Sequence, residues 1–209
     1  LVGVIASDTA NVTLNKAGNF VSANAANGIV VTMADSLSGS ASGNYVLTQP
    51  AGITGNITPA PLGITLTAIY SGSTTVTPSS FALTGLVNGE TISSISSANV
   101  SNINVAGNAG NFVRSIAIGS GTALASNYAF NTAVSTTAGT SLNTVTLTTK
   151  TLTVAGTTAD AKVYDGTTNV NVWGGVLVGV VGGDVVSLKQ AGVLTSANVS
   201  SAVAILVSD

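Results

Sequence analysis

The sequence predicts an all-β chain organised as tandem immunoglobulin-like β-sandwich repeats, with β-grasp-like repeats as the alternative. Three observations predict this. Gly, Ala, Ser, Thr, Asn and Val dominate the 209 residues. Turn signals interrupt the apolar runs about every 8–12 residues. The same short motifs also return at long, nearly constant spacings. Small residues mixed with Val, Thr and Ile read as short strands and tight turns. No Glu/Lys/Leu-rich window lasts long enough for a stable helix.

The repeats are read by self-comparison. Leu1-Val-Gly-Val-Ile-Ala-Ser-Asp8 aligns with Leu177-Val-Gly-Val-Val-Gly-Gly-Asp184, and more loosely with Leu83-Thr-Gly-Leu-Val-Asn-Gly-Glu90. Ala17–Asn24 aligns with Ala191–Asn198, Asn44-Tyr-Val-Leu47 with Asn127-Tyr-Ala-Phe130, and Tyr70–Val76 with Tyr164–Val170. These markers divide the chain into 1–58, the C-terminal part of a repeat; 59–149, a complete repeat; and 150–209, the N-terminal part of a repeat. Leu1 opens inside a motif, so the sequence reads as a piece of a longer array. The joints, Ile57–Leu62 and Thr148–Leu152, leave almost no linker, and Pro59 and Pro61 favour extended backbone in the first of them.

Within the middle unit, Leu62–Tyr70 reads as a strand followed by a turn at Ser71-Gly72. Ser80–Leu86 reads as a strand followed by a turn at Asn88-Gly89. Asn111–Ile118 alternates, which puts Phe112, Arg114, Ile116 and Ile118 on one face and Val113, Ser115 and Ala117 on the other. Thr144–Leu152 closes the unit. Asn99–Gly110 has the weakest strand pattern and is where the β-grasp alternative places a helix.

Composition excludes several functions. The chain has no His and no Cys, seven acids and five bases. A Ser-His-Asp triad, a zinc site and a disulfide framework are therefore out of reach. Lys16, Arg114, Lys150, Lys162 and Lys189 never cluster, so no nucleic-acid surface is expected. Mean hydropathy is +0.55, yet the densest apolar run, Val176–Val181, is far shorter than the roughly 20 residues of a membrane span. Aromatic residues, at 4%, are too few for the girdles of a membrane barrel.

Two motifs carry resemblances. Leu37–Leu47, repeated at Ala123–Phe130, resembles the segment of immunoglobulin-like domains that holds the tyrosine corner, where a tyrosine hydroxyl bonds upstream backbone. Ser40 and Thr122 stand where that motif has Asp. Tyr45 and Tyr128 are thus expected to be equivalent, partly buried and hydrogen-bonded through their hydroxyls. Lys162-Val-Tyr-Asp-Gly-Thr-Thr168, with its flanks Leu177–Asp184, Gly43–Leu47 and Thr54–Pro59, resembles the YDG repeat of very large filamentous-haemagglutinin-like bacterial exoproteins. The resemblance extends over one full and two partial units; the middle unit has Ser71 in place of the Asp. It implies a secreted, cell-surface stalk module that projects a distal adhesive region, with adjacent repeats of the same or neighbouring chains as partners.

The signature residues are Tyr45, Tyr70, Gly72, Tyr128, Tyr164, Asp165 and Gly166. Tyr164-Asp165-Gly166 reads as a tight turn, Asp tolerating the geometry and Gly supplying positive φ. Asp8, Glu90 and Asp184 recur once per unit, too thinly for calcium, which needs six to eight oxygens; they read as turn-capping acids. Asp160 and Asp165 lack the aromatic cleft of a glycosidase pair. Trp173 reads as a packing residue at a strand end. No catalytic residue, cofactor or metal site is expected, and the chain is not read as an enzyme. Besides the stalk, two alternatives remain: a self-assembling filament subunit joined by strand donation, for which low charge leaves little repulsion, and a glycan-binding module with a host or matrix ligand.

Overall fold

The computed structural model describes residues 1–200 and 205–208, and over them the protein is all-β and β-sandwich-like. The helical segments described are short 3-10 turns. Among the described residues no helix is long and apolar enough to cross a membrane.

The first segment contains β1 (Thr13–Asn15), β2 (Gly18–Phe20), β3 (Ala26–Met33), β4 (Ser36–Ser38) and β5 (Thr54–Ile57). The middle unit contains β6 (Ala60–Pro61), β7 (Gly63–Ile69), β8 (Thr75–Val76), β9 (Pro78–Thr84), β10 (Ile92–Val100), β11 (Val113–Gly121), β12 (Tyr128–Ala129) and β13 (Asn143–Thr148). The last segment contains β14 (Thr153–Ala155), β15 (Thr158–Ala159), β16 (Asn169–Val170), β17 (Val172–Trp173), β18 (Val176–Val178), β19 (Ala191–Leu194) and β20 (Ile205–Ser208).

Two three-stranded sheets, ordered β13-β7-β9 and β11-β10-β8, and a parallel β12-β6 pair make the middle unit. The opening strand β7 is central: β9 runs antiparallel to it and the closing strand β13 runs parallel. Period-two alternation puts Ile64, Leu66 and Ala68 of β7 inside with Val145 and Leu147 of β13. Ile92, Ile95, Ala98 and Val100 of β10, with Val113 of β11, belong to the same buried cluster. The Thr residues of β13 alternate with these, so Thr146 and Thr148 face out.

Asparagine side chains tie β13 to the rest of the unit. Asn143, fully buried, accepts from the Val113 N–H at 2.8 Å and donates to the Val113 and Asn131 carbonyls at 2.9 and 2.7 Å. Asn108 accepts from the Leu147 N–H and donates to its carbonyl, at 2.8 and 2.9 Å. A primary amide offers a donor and an acceptor side by side, so it can stand in for a strand partner. No buried side-chain polar atom is left unsatisfied among the described residues.

The expected face assignment in Asn111–Ile118 is corrected. Val113 is buried, Arg114 and Ser115 are both exposed, and Ile116 and Ile118 turn inward. The cause is a bulge: Val100 pairs with Val113 but Asn99 with Ser115, which leaves Arg114 as an extra residue and flips the alternation. Val105–Gly110, where the alternative placed a helix, is a 3-10 segment lying beside β13.

The flanking segments repeat parts of this plan in register. In the first, β2 pairs β3 with Gly18 opposite Met33, Asn19 opposite Thr32 and Phe20 opposite Val31. In the last, β19 pairs β20 with Gly192 opposite Val207, Val193 opposite Leu206 and Leu194 opposite Ile205. Every pair is the first set moved 174 positions along the chain. The opening hairpin repeats too: Ile64 faces Leu83 in the middle unit, and Val154 faces Leu177 in the last.

Candidate functional site: acid-bearing turns and unit junctions

Each Leu-x-Gly motif ends in a four-residue turn closed by the amide of its acid. Asp8 donates to the Ile5 carbonyl at 2.9 Å, Glu90 to Val87 at 2.9 Å and Asp184 to Val181 at 3.0 Å. In the middle turn Asn88 and Gly89 both have positive φ, 51° and 70°. That pair of values defines a type I′ turn and favours Asn-Gly.

A tyrosine hydroxyl serves each acid. Tyr45 donates to Asp8 Oδ2 at 2.8 Å and accepts from the Ile5 N–H at 3.2 Å. Tyr128 donates to Glu90 Oε2 at 2.5 Å and accepts from the Val87 N–H at 3.1 Å. Ile5 and Val87 hold the same place in the repeat, so the two bridges are copies. Both tyrosines emerge directly from a 3-10 turn, Ser42–Asn44 and Ala125–Asn127. Tyr128 is buried and Tyr45 half-buried. The phenol of Tyr128 is raised above its ordinary value by burial and by the bond to Glu90, against the Val87 N–H. At Tyr45 the Ile5 N–H pulls downward, but desolvation and Asp8 prevail and the net shift is upward.

Asp184 is served across a junction. Tyr70, from the middle unit, donates to Asp184 Oδ1 at 3.0 Å, and that bond raises the Tyr70 phenol. Gly72 lies against the same turn: a Cβ there would come within 2.6 Å of Val181 Cγ1. Tyr70, Val105, Leu152, Val181 and Asp184 line a mainly apolar cleft of about 260 Å³ at this junction. The junction between the first segment and the middle unit uses amides. The Asn127 side chain accepts from the Ala25 N–H at 2.9 Å and donates to Asn24 Oδ1 at 3.0 Å.

The Tyr164-Asp165-Gly166 loop is a self-contained turn. Asp165 Oδ1 accepts from the Thr167 N–H and hydroxyl, both at 2.9 Å, and pairs with Lys162 Nζ at 2.8 Å. Lys162, then the Thr167 N–H and hydroxyl, lower the Asp165 carboxyl to about 2. Lys162 also donates to the Thr167 and Asn169 carbonyls. Tyr164 itself is 62% exposed. Asp160 accepts from the Asn171 amide at 2.7 Å and the Trp173 Nε1–H at 2.8 Å, in that order the causes of its lowered pKa. Trp173 ends a strand as expected, but its ring is 55% exposed and its indole N–H is its clearest tie.

The seven signature residues thus fall into three settings. Tyr45 and Tyr128 are corners inside their own units, Tyr70 and Gly72 are at a junction, and Tyr164, Asp165 and Gly166 form an exposed loop. The pairing of tyrosine with the recurring acids was missed by sequence reasoning. Its signal was there: Asp8 precedes Tyr45 by 37 residues, and Glu90 precedes Tyr128 by 38.

The YDG domain family matches residues 148–209. The match takes in the Tyr164-Asp165-Gly166 loop, strands β14 to β20 and the Asp184 turn. It does not extend to the first two segments, which share registers and acid-bearing turns with the matched one. No curated protein and no solved structure matches the chain.

Proposed function

We propose that this protein is a stalk segment of a secreted bacterial surface adhesin, a row of directly joined units that projects a distal adhesive region. Adjacent repeats are its partners in this reading, and the chain performs no catalysis. One observation carries the reading: the units are bonded to each other rather than merely tethered. β13 ends at Thr148 and β14 begins at Thr153, so the strand of one unit runs almost straight into the next. The Tyr70–Asp184 and Asn127–Asn24 bonds add lateral ties at the two junctions. Short connections with side-chain ties favour a stiff rod, whereas free linkers leave domains to move independently. The YDG match over residues 148–209, together with the resemblance to exoprotein repeats, is what favours an extracellular setting in this reading.

Small-angle X-ray scattering on the chain tests the reading. A stalk gives the distance distribution of one elongated, rigid body. Independently tumbling units, or a single compact particle, would overturn it.

A second reading has a specific observation behind it. Most of the exposed large apolar side chains lie in the flanking segments, among them Val2, Phe20, Val163, Val185 and Val199. Exposed apolar edges invite pairing with another chain, which is the filament alternative.

A further inference from the structure

The middle unit carries a cation with no counter-charge. Arg114 is the chain's one arginine; the other four bases are lysines. It is exposed, on the bulge between Val113, which pairs with Val100, and Ser115, which pairs with Asn99. A bulge leaves its extra residue outside the ladder and re-aims the side chain. Among the described residues the ion pair is Lys162–Asp165, and the N–H donors of the Arg114 guanidinium meet no protein acceptor. What holds the guanidinium is the Phe112 ring, whose centroid lies 5.9 Å from Cζ, a cation–π contact.

Arg114 stands over a groove. With Phe112, Phe130, Asn131 and Thr132 it lines a cleft of about 360 Å³. A second cleft, of about 300 Å³, shares Phe130 and Asn131 with the first and continues to Pro61 and Ser141. Every lining residue lies within 59–149, and none of the acids among the described residues lines either cleft. Phe112 is half-buried and lies outside the core cluster, whereas Phe130 packs against it.

The groove is fixed from behind. The Phe112 N–H donates to Ser101 Oγ at 3.0 Å, and its carbonyl accepts from the Ser101 N–H at 2.9 Å. The Asn131 carbonyl accepts from the buried Asn143 amide at 2.7 Å, and Asn131 Oδ1 accepts from the Ala133 N–H at 3.3 Å. A preformed surface of this kind loses little freedom on binding.

These groups select an occupant. The guanidinium fork matches a carboxylate, which it can hold through two parallel hydrogen bonds. The amide of Asn131 and the hydroxyls of Thr132 and Ser141 can pair with hydroxyl groups. The two phenyl rings offer apolar faces. A carboxylated sugar ring has all three complements in one unit: a planar anion, a rim of hydroxyls and an apolar C–H face. We propose that this groove binds an acidic glycan, a chain of carboxylated pyranoses, with Arg114 on a carboxylate and Phe112 and Phe130 against the rings. The site goes beyond the stalk reading and does not depend on it. The scattering experiment above reads shape and the following one reads binding, so either can fail alone.

NMR titration of the full chain with oligogalacturonate reads the contact. The expected result is saturable shifts at the Arg114 side-chain N–H and at amides 112–114 and 130–132. The fully methyl-esterified oligomer keeps the rings and removes the charge. It should bind about tenfold or more weakly, the loss of a hydrogen bond to a charged group. Arg114→Gln should weaken oligogalacturonate by a similar factor and make the two oligomers equal. Phe112→Leu should weaken both oligomers alike. Arg114 is exposed and Phe112 lies outside the core cluster, so both variants should keep wild-type shifts elsewhere in the chain. No saturable shift, equal binding of the two oligomers by wild type, or unchanged binding in Arg114→Gln would overturn the proposal. Preference for a sulfated neutral oligosaccharide would overturn the assignment of a carboxylate.

Discussion

The middle unit and the segments on either side of it share hairpins, registers and turns, yet among the described residues the buried core cluster lies in the middle unit. Outside it, the buried apolar residues among those described are Val12 and Ile29. Inside it, Leu62, Ile64, Val100 and Val113 are fully shielded from solvent. Within the middle unit the opening strand pairs with the closing one. In the middle unit β13 lies parallel to β7 and carries Val145 and Leu147 into the space between the sheets. In the first segment the strand at the corresponding place, β5, pairs antiparallel with β3 instead, and it contributes only half-buried Gly55 and Ile57. In the last segment β14 keeps its hairpin partner β18 and has no other strand partner among the described residues. Local hairpins are thus cheap to form and repeat faithfully. Burial in the middle unit goes with its long-range parallel pairings, β13 with β7 and β12 with β6.

Four experiments would break or sharpen this contrast. The largest effect is expected from Leu147→Ala in β13. Truncating a buried Leu costs about 2–5 kcal/mol, read as a lower urea midpoint. The matched change in the first segment, Ile57→Ala, should cost about 1 kcal/mol or less because little area is buried there. Equal losses would mean that the two closing strands are not different in kind.

Next comes Asn143→Ala. It leaves the Val113 N–H and carbonyl without their partner in a buried place, a penalty of about 1–3 kcal/mol. Thermal unfolding should show it as loss of the middle unit, with the flanking hairpins little changed.

The corner tyrosines give a smaller, graded pair. Tyr128→Phe should cost about 0.5–1.5 kcal/mol, and Tyr45→Phe should lower the melting temperature by less, since its ring is only half-buried. pH adds a sign to this. Both phenols are raised above 10.0 in the folded chain. Their contribution is therefore fully present below about pH 10 and is lost as pH rises through the folded values. Wild type should lose part of its advantage over Tyr128→Phe in strong alkali.

The smallest effect is at the Asp165 loop. Its carboxyl is lowered to about 2 from 3.8, so the loop's bonds persist above pH 4 and are lost as pH falls towards 2. A carbon-detected NMR titration of Asp165 should show this midpoint. Lys162→Met should move it upward, because the largest cause of the shift is removed.

Much of this was legible in the sequence, for physical reasons that can be named. Hairpins and turns depend on neighbours in the chain. The Leu-x-Gly alignment therefore put Leu83 and Leu177 at equivalent places, and the registers Ile64–Leu83 and Val154–Leu177 follow it. Asn88-Gly89 announced its turn, and Tyr45 and Tyr128 their equivalence. What was not legible depends on distance or on a single displaced residue. The bulge at Arg114 has no sequence mark of its own, and it reversed the expected faces of Arg114 and Val113. The parallel pairing of β13 with β7 joins residues about 80 apart, where alternation gives the faces but not the partner. The acids looked like simple turn caps because their tyrosine partners lie 37 or more residues away.

Native-state hydrogen exchange tests the central claim most directly, since it reads stability amide by amide. The account predicts the slowest exchange, at or near global unfolding, for Ile64, Val113 and Val145 of the middle unit. It predicts exchange orders of magnitude faster for the matching hairpin amides, such as Phe20 and Val31 in the first segment and Val193 in the last. Uniform protection across all three segments would contradict it, because the flanking hairpins would then be as stable as the unit that owns the core.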